Sequence, residues 1–287
     1  MPTAKLPLII RAAILWNKFG PKGRGVVPRI IGRRWSGRDL YILTEHGGML
    51  LIDPANLDMY ASIFNGGGTW EPHIMQTCAS ILRAGDVYFD IGSNTGLFSI
   101  DVAISIPNLT IYAFEPQPTL ANCIRRSVAA NSLSNIHCFE ILLGSEEGEG
   151  KLYLTSHSIH ASISPREDQF QELIRPMHTI DALIAADQIK VPDVIKIDVE
   201  GAELLVFDGA TKTLKDHTPS VIFEADENMA RMNVSTQDLF DSLNRAADYT
   251  FYLIQPDGCL TATFPRQDLG NYLALSPRHR DRLDLAA

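Results

Sequence analysis

Alternating apolar and polar segments predict the fold of residues 86–275. Short apolar runs typical of buried strands are separated there by segments with helical spacing. The predicted strands cover residues 87–91, 109–114, 136–143, 193–199, 220–225, 250–254 and 272–275, and the predicted helices cover 96–106, 119–132, 179–186, 202–214 and 236–246. This alternation is typical of an α/β fold with a doubly wound, mostly parallel sheet and right-handed crossovers. Gly144–Pro176 has no clear period, and only Lys151–Thr155 is expected to be extended.

The first part of the chain has a different pattern. Leu6–Phe19 has the spacing of a short amphipathic helix, and Asp39–Pro54 predicts a β-hairpin. Another helix is predicted over Glu71–Arg83. We therefore expect an N-terminal extension of residues 1–80, followed by a Rossmann-like domain over residues 81–287.

Charge is unevenly distributed along the chain. The net charge of −9 disfavours a nucleic-acid-binding protein, because phosphate backbones require a cationic protein surface. Residues 1–38 nevertheless contain nine basic and no acidic side chains, which leaves −18 for the rest of the chain. A basic amphipathic helix with Trp16 and Phe19 could lie on an anionic membrane surface. A helix that is solvated or packed on the body is the alternative interpretation.

Two features of the sequence indicate the cellular compartment of the protein: the length of its apolar runs and its cysteines. No run reaches the roughly eighteen apolar residues that span a bilayer. The four cysteines contain no C-x-x-C pair and show no zinc pattern, and so few thiols in 287 residues indicate a reducing compartment. The sequence thus predicts a cytoplasmic protein, which could be peripheral to the membrane, with no recognisable metal site and an oligomeric state that the pattern leaves open.

Polar residues at the carboxyl ends of parallel strands are candidate site residues, because ligands of a doubly wound sheet bind there. Asp90–Gly96 closes the first strand and opens a helix, and its glycines permit a tight turn with close backbone approach. The dinucleotide pattern G-x-G-x-x-G fails, because Asn94 and Leu97 occupy the second and third glycine positions. The acid Asp90 suits a cationic ligand better than a pyrophosphate. A turn without a ligand is the alternative.

The second predicted strand ends in an acid. Glu115 lies 23 residues after Gly92, and an acid at about this distance can accept hydrogen bonds from ribose hydroxyls. Pro116 ends the strand because it has no N–H to donate to the ladder. A solvated strand-end acid is the alternative interpretation of Glu115.

Charged residues are also concentrated at the fourth strand end. Lys196, Asp198 and Glu200 alternate with apolar neighbours, which predicts one charged face of a strand. Three charges in a buried parallel strand are costly unless they are paired or functional. An ion pair of Lys196 with Asp198 or Glu200, with Glu203 as a helix-capping acid, is the purely structural alternative.

Together these motifs resemble the FkbM-type methyltransferases of the class I S-adenosylmethionine-dependent fold. The resemblance covers roughly residues 86–277 and rests on Asp86–Gly96, Phe114-Glu115-Pro116, Thr179-Ile180-Asp181 and Ile195–Glu203. It implies S-adenosylmethionine as cofactor, whose sulfonium and ammonium groups are cationic. The cofactor-binding residues expected from the resemblance are Asp90, Gly92, Ser93, Asn94, Gly96, Glu115, Pro116, Leu143 and Gly144.

The resemblance also distributes the parts of the cofactor. The methionine part is expected near Asp90, Gly92 and Asn94, and the ribose at Glu115. Adenine is expected beside the third strand end, at Leu143-Gly144-Ser145. Many relatives of the wider fold have Asp or Asn there, whereas this chain has neither at 143–145.

The implied reaction is O-methylation of a sugar hydroxyl in a glycan, glycolipid or natural product. A carboxylate as general base accelerates such a transfer by roughly 10²–10⁴-fold, and Asp198 is the first choice for base or acceptor-orienting residue. Glu200 is the second choice, and Lys196 could hold the acid in place. Alternative bases are His157, His160 and His178.

Three alternatives remain at this stage. A divalent cation bound by Asp198 with Glu200 or Glu224 could acidify the hydroxyl instead. The acceptor could be a lipid, a phenol or a peptide. The chain could also be a non-catalytic, nucleotide-binding module of the same fold.

Overall fold

The computed structural model describes residues 7–19, 26–35, 37–56, 70–155, 161–162, 169–263 and 268–283. The described strands are β1 (Leu40–Leu43), β2 (Met49–Ile52), β3 (Val87–Ile91), β4 (Thr110–Phe114), β5 (Ile136–Phe139), β6 (Leu142–Leu143), β7 (Gly148–Thr155), β8 (Ala161–Ser162), β9 (Gln169–His178), β10 (Val194–Ile197), β11 (Ser220–Ala225), β12 (Thr250–Ile254), β13 (Leu260–Ala262) and β14 (Gly270–Leu275).

The α-helices follow the same order along the chain. They are α1 (Leu8–Phe19), α2 (Val26–Trp35), α3 (Pro72–Ile81), α4 (Leu97–Ser105), α5 (Pro118–Ala130), α6 (Ile180–Ala185), α7 (Glu203–Asp208), α8 (Thr211–His217) and α9 (Thr236–Ala246). Short 3₁₀ turns occupy Pro54–Asn56, Glu227–Met232 and Pro277–Arg282. No helix in the described ranges is both long and apolar enough to cross a membrane.

An eight-stranded sheet forms the centre, in the order β13-β12-β14-β11-β10-β3-β4-β5. The five strands from β11 to β5 pair in parallel, and β14, β12 and β13 join antiparallel. The predicted α/β fold with a mostly parallel sheet is therefore confirmed. The chain runs outward from β3 to β5 and then returns to β10, so the strand order reverses between β3 and β10. Ligands of such sheets bind at this reversal.

The two faces of the sheet are covered by separate cores. Alternate strand residues point to opposite sides, so Tyr88 belongs to one core and Phe89 to the other. Ile10 of α1 and Leu50 of β2 are buried in the same core as Tyr88. The first part of the chain therefore packs on one face of the central sheet, and the boundary expected at residue 80 stays a prediction.

The N-terminal elements largely agree with the pattern. The helix and the hairpin are confirmed as α1 and as β1 paired with β2, although Leu6 lies outside the described residues. Helix α2 was not predicted. Pro28 lies in the first turn of α2, where backbone N–H groups have no intrahelical acceptor, so proline is tolerated there.

The segment after β4 differs most from the prediction. The single strand expected over residues 136–143 is two strands in different sheets, because Glu140 interrupts it and pairs with Arg125 and Arg175. The irregular stretch Gly144–Pro176 contains the long antiparallel pair β7 and β9 instead. Its strands carry exposed polar pairs such as Lys151 with Glu172, so no one-sided apolar period was present to detect.

The helix predicted over residues 202–214 is two helices, α7 and α8, separated at Gly209 and Ala210. A side chain from elsewhere caps the second one. Asp181 accepts the N–H groups of Lys212 and Thr213, at 2.8 and 2.9 Å. Asp181 lies in the first turn of α6, but its carboxylate caps the start of α8 instead.

Candidate functional site

A cavity of about 470 Å³ lies at the carboxyl ends of the parallel strands, where the strand order reverses. Its wall combines apolar side chains on one side with carboxylates on the other. The lining residues are Trp70, Glu71, Ile91, Gly92, Asn94, Phe114, Glu115, Pro116, Gln117, Ile141, Leu142, Leu143, Leu152, Asp198, Val199, Glu200, Ala202, Glu224, Asp226 and Asn228.

The turn after β3 requires glycine at its first position. Gly92 has φ of 75°, and a Cβ there would lie 1.9 Å from the carbonyl oxygen of Asp198. The turn therefore lies against the backbone that follows β10, closer than any side chain allows. Asn94 also has positive φ, at 53°, which asparagine tolerates. Both residues line the cavity, as their assignment to the cofactor requires.

Asp90 lies behind this turn rather than in the cavity wall. It is fully buried, and one carboxylate oxygen accepts the hydroxyl of Ser99 at 2.6 Å. The other oxygen lies 3.9 Å from Lys196 Nζ and has no hydrogen-bond partner among the described residues. Burial raises the pKa of Asp90, although the charge of Lys196 acts to lower it.

Ser93 and Gly96 also lie outside the cavity wall. The hydroxyl of Ser93 donates to the carbonyl of Asp90 at 2.5 Å, which holds the turn in shape. Gly96 precedes α4 with φ of 82°, and a Cβ there would lie 2.9 Å from a methylene carbon of Ile124. These two residues shape the turn from behind.

Glu115 is the acid that lines the cavity at the end of β4. Its two carboxylate oxygens accept the N–H groups of Asn94 and Gln117, each at 2.8 Å, so the side chain is fixed in place. Burial raises the pKa of Glu115 to about 8, against the opposing effect of these two amides. Pro116 lies beside it in the wall. The carboxylate links the turn after β3 to the end of β4.

Beyond Glu115 the wall is apolar. Ile141, Leu142 and Leu143 line it, and Leu152 of β7 lies in the same wall. Gly144, which was expected there, is packed elsewhere: a Cβ on it would lie 2.7 Å from the sulfur of Met177. The contribution of Leu152 was not predicted, since β7 gave only a weak pattern.

Lys196 is a buried cation in the floor of the site. It pairs in register with Asp90 on β3, and its Nζ lies 3.2 Å from Asp198 and 4.7 Å from the ring centre of Phe98. Burial acts to lower the pKa of Lys196, but the carboxylates of Asp198, Asp90 and Glu71 outweigh it and raise the pKa. Lys196 is thus held charged beneath the cavity, and Asp198 is exposed to the cavity above it.

Glu200 does not continue the charged face of β10, and this prediction was wrong. The strand ends at Ile197, and Glu200 has φ of 56° in a left-handed turn. Its carboxylate accepts the side-chain N–H of Asn228 at 2.8 Å and still lines the cavity. The turn is held from below, where buried Glu203 accepts the N–H of Val199 at 3.0 Å.

Further carboxylates from other elements complete this end of the cavity. Burial and the negative charge of Asp198 raise the pKa values of Glu71 and Glu224, the latter to about 8. Asp226 also has a raised pKa, mainly through burial. The strand-end rule could have identified Asp226 together with Glu224, because both lie where β11 ends. No sequence signal pointed to Glu71. We call Glu71, Asp198, Glu200, Glu224 and Asp226 the acidic rim.

The histidines give no base in the described part of the site. His178 does not line the cavity and lies 2.8 Å from Glu147. His157 and His160 lie outside the described residues. With no histidine placed as a base in the described part of the site, Asp198 remains the first candidate for the base.

Thr179, from the third motif of the resemblance, caps α6 by accepting the N–H of Ala182 at 3.0 Å.

The alternative of a divalent cation finds no ligand set in the described ranges. No group of three or more His, Cys, Asp or Glu side chains is arranged there to hold a metal ion. This includes Asp198, Glu200 and Glu224, the residues expected to bind it.

Comparison with known proteins gives a consistent result. A family model, the methyltransferase FkbM domain, matches residues 90–251, which is more than half of the chain. Methyltransferase 1 from Beauveria bassiana is 24% identical over 155 residues, which are 47% of this chain and 62% of that protein. The 31-O-demethyl-FK506 methyltransferase FkbM from Streptomyces tacrolimicus is 43% identical over 53 residues, which are 17% of this chain and 20% of that protein.

Solved structures also align with parts of the chain. The methyltransferase FkbM from Methylobacillus flagellatus aligns with 76% of this chain and 54% of its own, with a TM-score of 0.46 and 17% identity. The chain spans less than two thirds of the length of the curated relatives it matches. The resemblance predicted from the motifs is confirmed by the family model.

Proposed function

We propose a specific reaction for this chain, which belongs to the methyltransferase FkbM domain family: methyl transfer from S-adenosylmethionine to an oxygen, with a sugar hydroxyl as acceptor. The observation that carries the proposal is the placement of Glu115 and Asp198 in one cavity, at the reversal of strand order. The sugar comes from the predicted resemblance. The protein would act in the cytoplasm.

The residues of the cavity fit S-adenosylmethionine. Gly92 lets the turn after β3 lie close against the backbone of Asp198 at the cavity wall, and Glu115 offers carboxylate oxygens suited to a ribose diol. Leu143 and Leu152 provide an apolar wall for a flat base. The acidic rim favours the positive charge of the methionine part. Phe114 and Pro116 complete the lining of the cavity on this side.

Asp198 is the residue that would act on the acceptor. When bound, S-adenosylmethionine supplies an electrophilic methyl carbon on a sulfonium. Asp198 would orient the acceptor hydroxyl and take its proton as the new carbon–oxygen bond forms and the methyl carbon–sulfur bond breaks, which would leave S-adenosylhomocysteine as the second product. Lys196, 3.2 Å away and buried, would hold the Asp198 carboxylate in position and balance its charge. Glu200 is the second candidate for contact with the acceptor.

An Asp198→Asn variant tests this role. The change keeps shape and volume but removes the base, so we expect turnover to fall by about 10²–10⁴-fold while affinity for S-adenosylmethionine changes little. Labelled methyl transfer to a panel of sugars, together with calorimetry of S-adenosylmethionine binding, measures both effects. Asp187→Asn is the matched control, because Asp187 is exposed in a turn with φ of 54° that asparagine tolerates. Wild-type turnover by Asp198→Asn would remove Asp198 from the mechanism.

The same experiment also tests acceptors other than sugars. Lipid, phenolic and peptide acceptors are added to the panel, and methylation of one of these alone would replace the sugar as substrate. A non-catalytic nucleotide-binding module would bind S-adenosylmethionine or NAD without methyl transfer to any acceptor. The failed glycine spacing at Asn94 and Leu97 argues against NAD.

A further inference from the structure

The outward side of α1 is apolar although its inward side already fills the core. Ile10 and Ala13 are buried, with 0% and 1% exposure, in the core that covers the central sheet. On the opposite side, Leu8 is 83% exposed and Leu15 is 57% exposed. Ile9 and Trp16 extend this outward apolar surface. Packing against the core therefore does not explain the exposure of Leu8, Ile9 and Leu15.

Helix α2 packs beside α1 and repeats the arrangement. Pro28 and Gly32 are buried, whereas Val26 and Ile30 are about half exposed. Val26 and Ile30 are four residues apart and therefore share one face of the helix. We call the exposed apolar residues of both helices the outer face: Leu8, Ile9, Leu15, Trp16, Val26 and Ile30.

Arginines border the outer face. Arg33 and Arg34 are exposed, and helical spacing places one on each side of the line from Val26 to Ile30. Arg11 is exposed on α1. The sequence contains no acidic residue before Asp39, while the remainder of the chain carries a charge of −18. The surface is thus apolar in its middle and cationic at its edges.

We propose that the outer face docks on an anionic phospholipid bilayer, with α1 and α2 lying in the plane of the interface. The apolar side chains would enter the boundary between headgroups and acyl chains, and the arginines would contact lipid phosphates. The acidic body is repelled by the same membrane, so only one orientation brings opposite charges together. This inference is independent of the proposed reaction.

Charge and hydrophobicity together favour lipid over two other partners. A nucleic acid would use the arginines but would not cover the exposed apolar side chains between them. A second copy of the chain, related by a two-fold axis, would place the cationic edges of both copies against each other. An anionic bilayer is complementary to both properties.

Sedimentation of the full chain with vesicles tests the proposal. We expect the protein to pellet with vesicles of phosphatidylcholine and phosphatidylglycerol but not with phosphatidylcholine alone. Binding should weaken when salt is raised from about 0.1 M to about 0.5 M, because the arginine contacts are screened. Equal binding to neutral vesicles, or none to either kind, would overturn the proposal.

Two double variants separate the charged and apolar contributions. Arg33→Glu with Arg34→Glu should weaken binding to anionic vesicles at least about tenfold. Its matched control is Lys212→Glu with Lys215→Glu, two exposed lysines on α8, which should bind as wild type.

Val26→Ser with Ile30→Ser should weaken vesicle binding at least about fivefold, since about half of each side chain lies at the surface. Ile174→Ser, with a side chain that is 59% exposed on β9, is the control. Circular dichroism and thermal unfolding verify that each variant folds.

Unchanged vesicle binding by both double variants would refute the assignment of the outer face to a membrane. A dimer that either variant dissociates, without vesicle binding by wild type, would assign the face to self-association instead, and retention of RNA alone would assign it to nucleic acid.

Discussion

The two ends of the cavity hold their carboxylates in different ways. At one end, Glu115 is fixed by two backbone N–H groups and surrounded by apolar side chains. At the other, the acidic rim gathers five carboxylates, with the buried cation Lys196 beneath it. The first arrangement suits a ligand of fixed shape, because the carboxylate oxygens of Glu115 that accept hydrogen bonds are already oriented. The second concentrates negative charge, which suits groups that bring positive charge or donate hydrogen bonds.

Removing the cation beneath the rim should have the largest effect. Lys196→Met leaves Asp90 and Asp198 buried or half-buried without their counter-charge, and we expect the free energy of unfolding to fall by about 3–5 kcal/mol. Urea unfolding measures the loss. Lys151→Met is the control, since the Lys151–Glu172 pair is exposed and should matter little. Equal losses in the two variants would mean that the rim does not depend on its buried cation.

The contact that joins the two ends should be the next most sensitive. A Cβ in Gly92→Ala would overlap the carbonyl of Asp198, which adds about 1–3 kcal/mol of overpacking to about 1–2 kcal/mol of left-handed strain. Gly85→Ala carries the same kind of strain, with φ of 93°, but meets nothing within 4 Å. Unfolding and S-adenosylmethionine binding should therefore be impaired much more in the first variant. Similar behaviour of both would show that the turn can move away from Asp198.

The fixed end is tested by Glu115→Gln. We expect affinity for S-adenosylmethionine to fall by about 10–100-fold, because hydrogen bonds to a carboxylate are stronger than those to an amide. The raised pKa of Glu115, about 8, adds a signature: wild-type affinity should rise as pH passes upward through about 8, and the variant should keep only the weaker dependence contributed by Glu224, whose pKa is also raised to about 8. Calorimetry between about pH 6.5 and 9 checks both. An unchanged pH dependence in the variant would exclude Glu115 as its source.

The smallest expected effect is on how the free energy of unfolding of the ligand-free chain depends on pH. Glu115, Glu203 and Glu224 each have a pKa raised from 4.5 to about 8 by burial, so the folded chain binds more protons than the unfolded chain between these values. Their contribution is full below about pH 4.5 and is lost as pH rises through about 8. Thermal unfolding of wild type against Glu224→Gln should show a shallower decline in the variant. A steeper decline would contradict this assignment.

Sequence predicted the fixed end better than the rim, for a physical reason. Gly92, Asn94 and Glu115 are local features of strand ends, and parallel strands bring such ends together. Glu200 was misplaced because its turn depends on Gly201, which packs against the backbone of Asn228, distant along the chain. Such a tertiary contact produces no periodic pattern in the sequence.

The fold itself was predictable where strands are buried. Strands β3, β4, β10 and β11 are continuous apolar runs or nearly so, whereas β7 and β9 expose both polar and apolar side chains. The pairing of β7 with β9 was therefore missed, and with it the contribution of Leu152 to the cavity wall. Glu71 was missed because it precedes α3 without any strand-end position.

The antiparallel pair of β7 and β9 gives this architecture a means of diversification. Its backbone hydrogen bonds lie within its own four-stranded sheet, apart from the central one, and it reaches the cavity through Leu152. Substitutions or length changes in these two strands can therefore reshape the pocket while the central sheet stays unchanged. Evolution, or a designer, could exchange this small sheet to accept new molecules without rebuilding the central one.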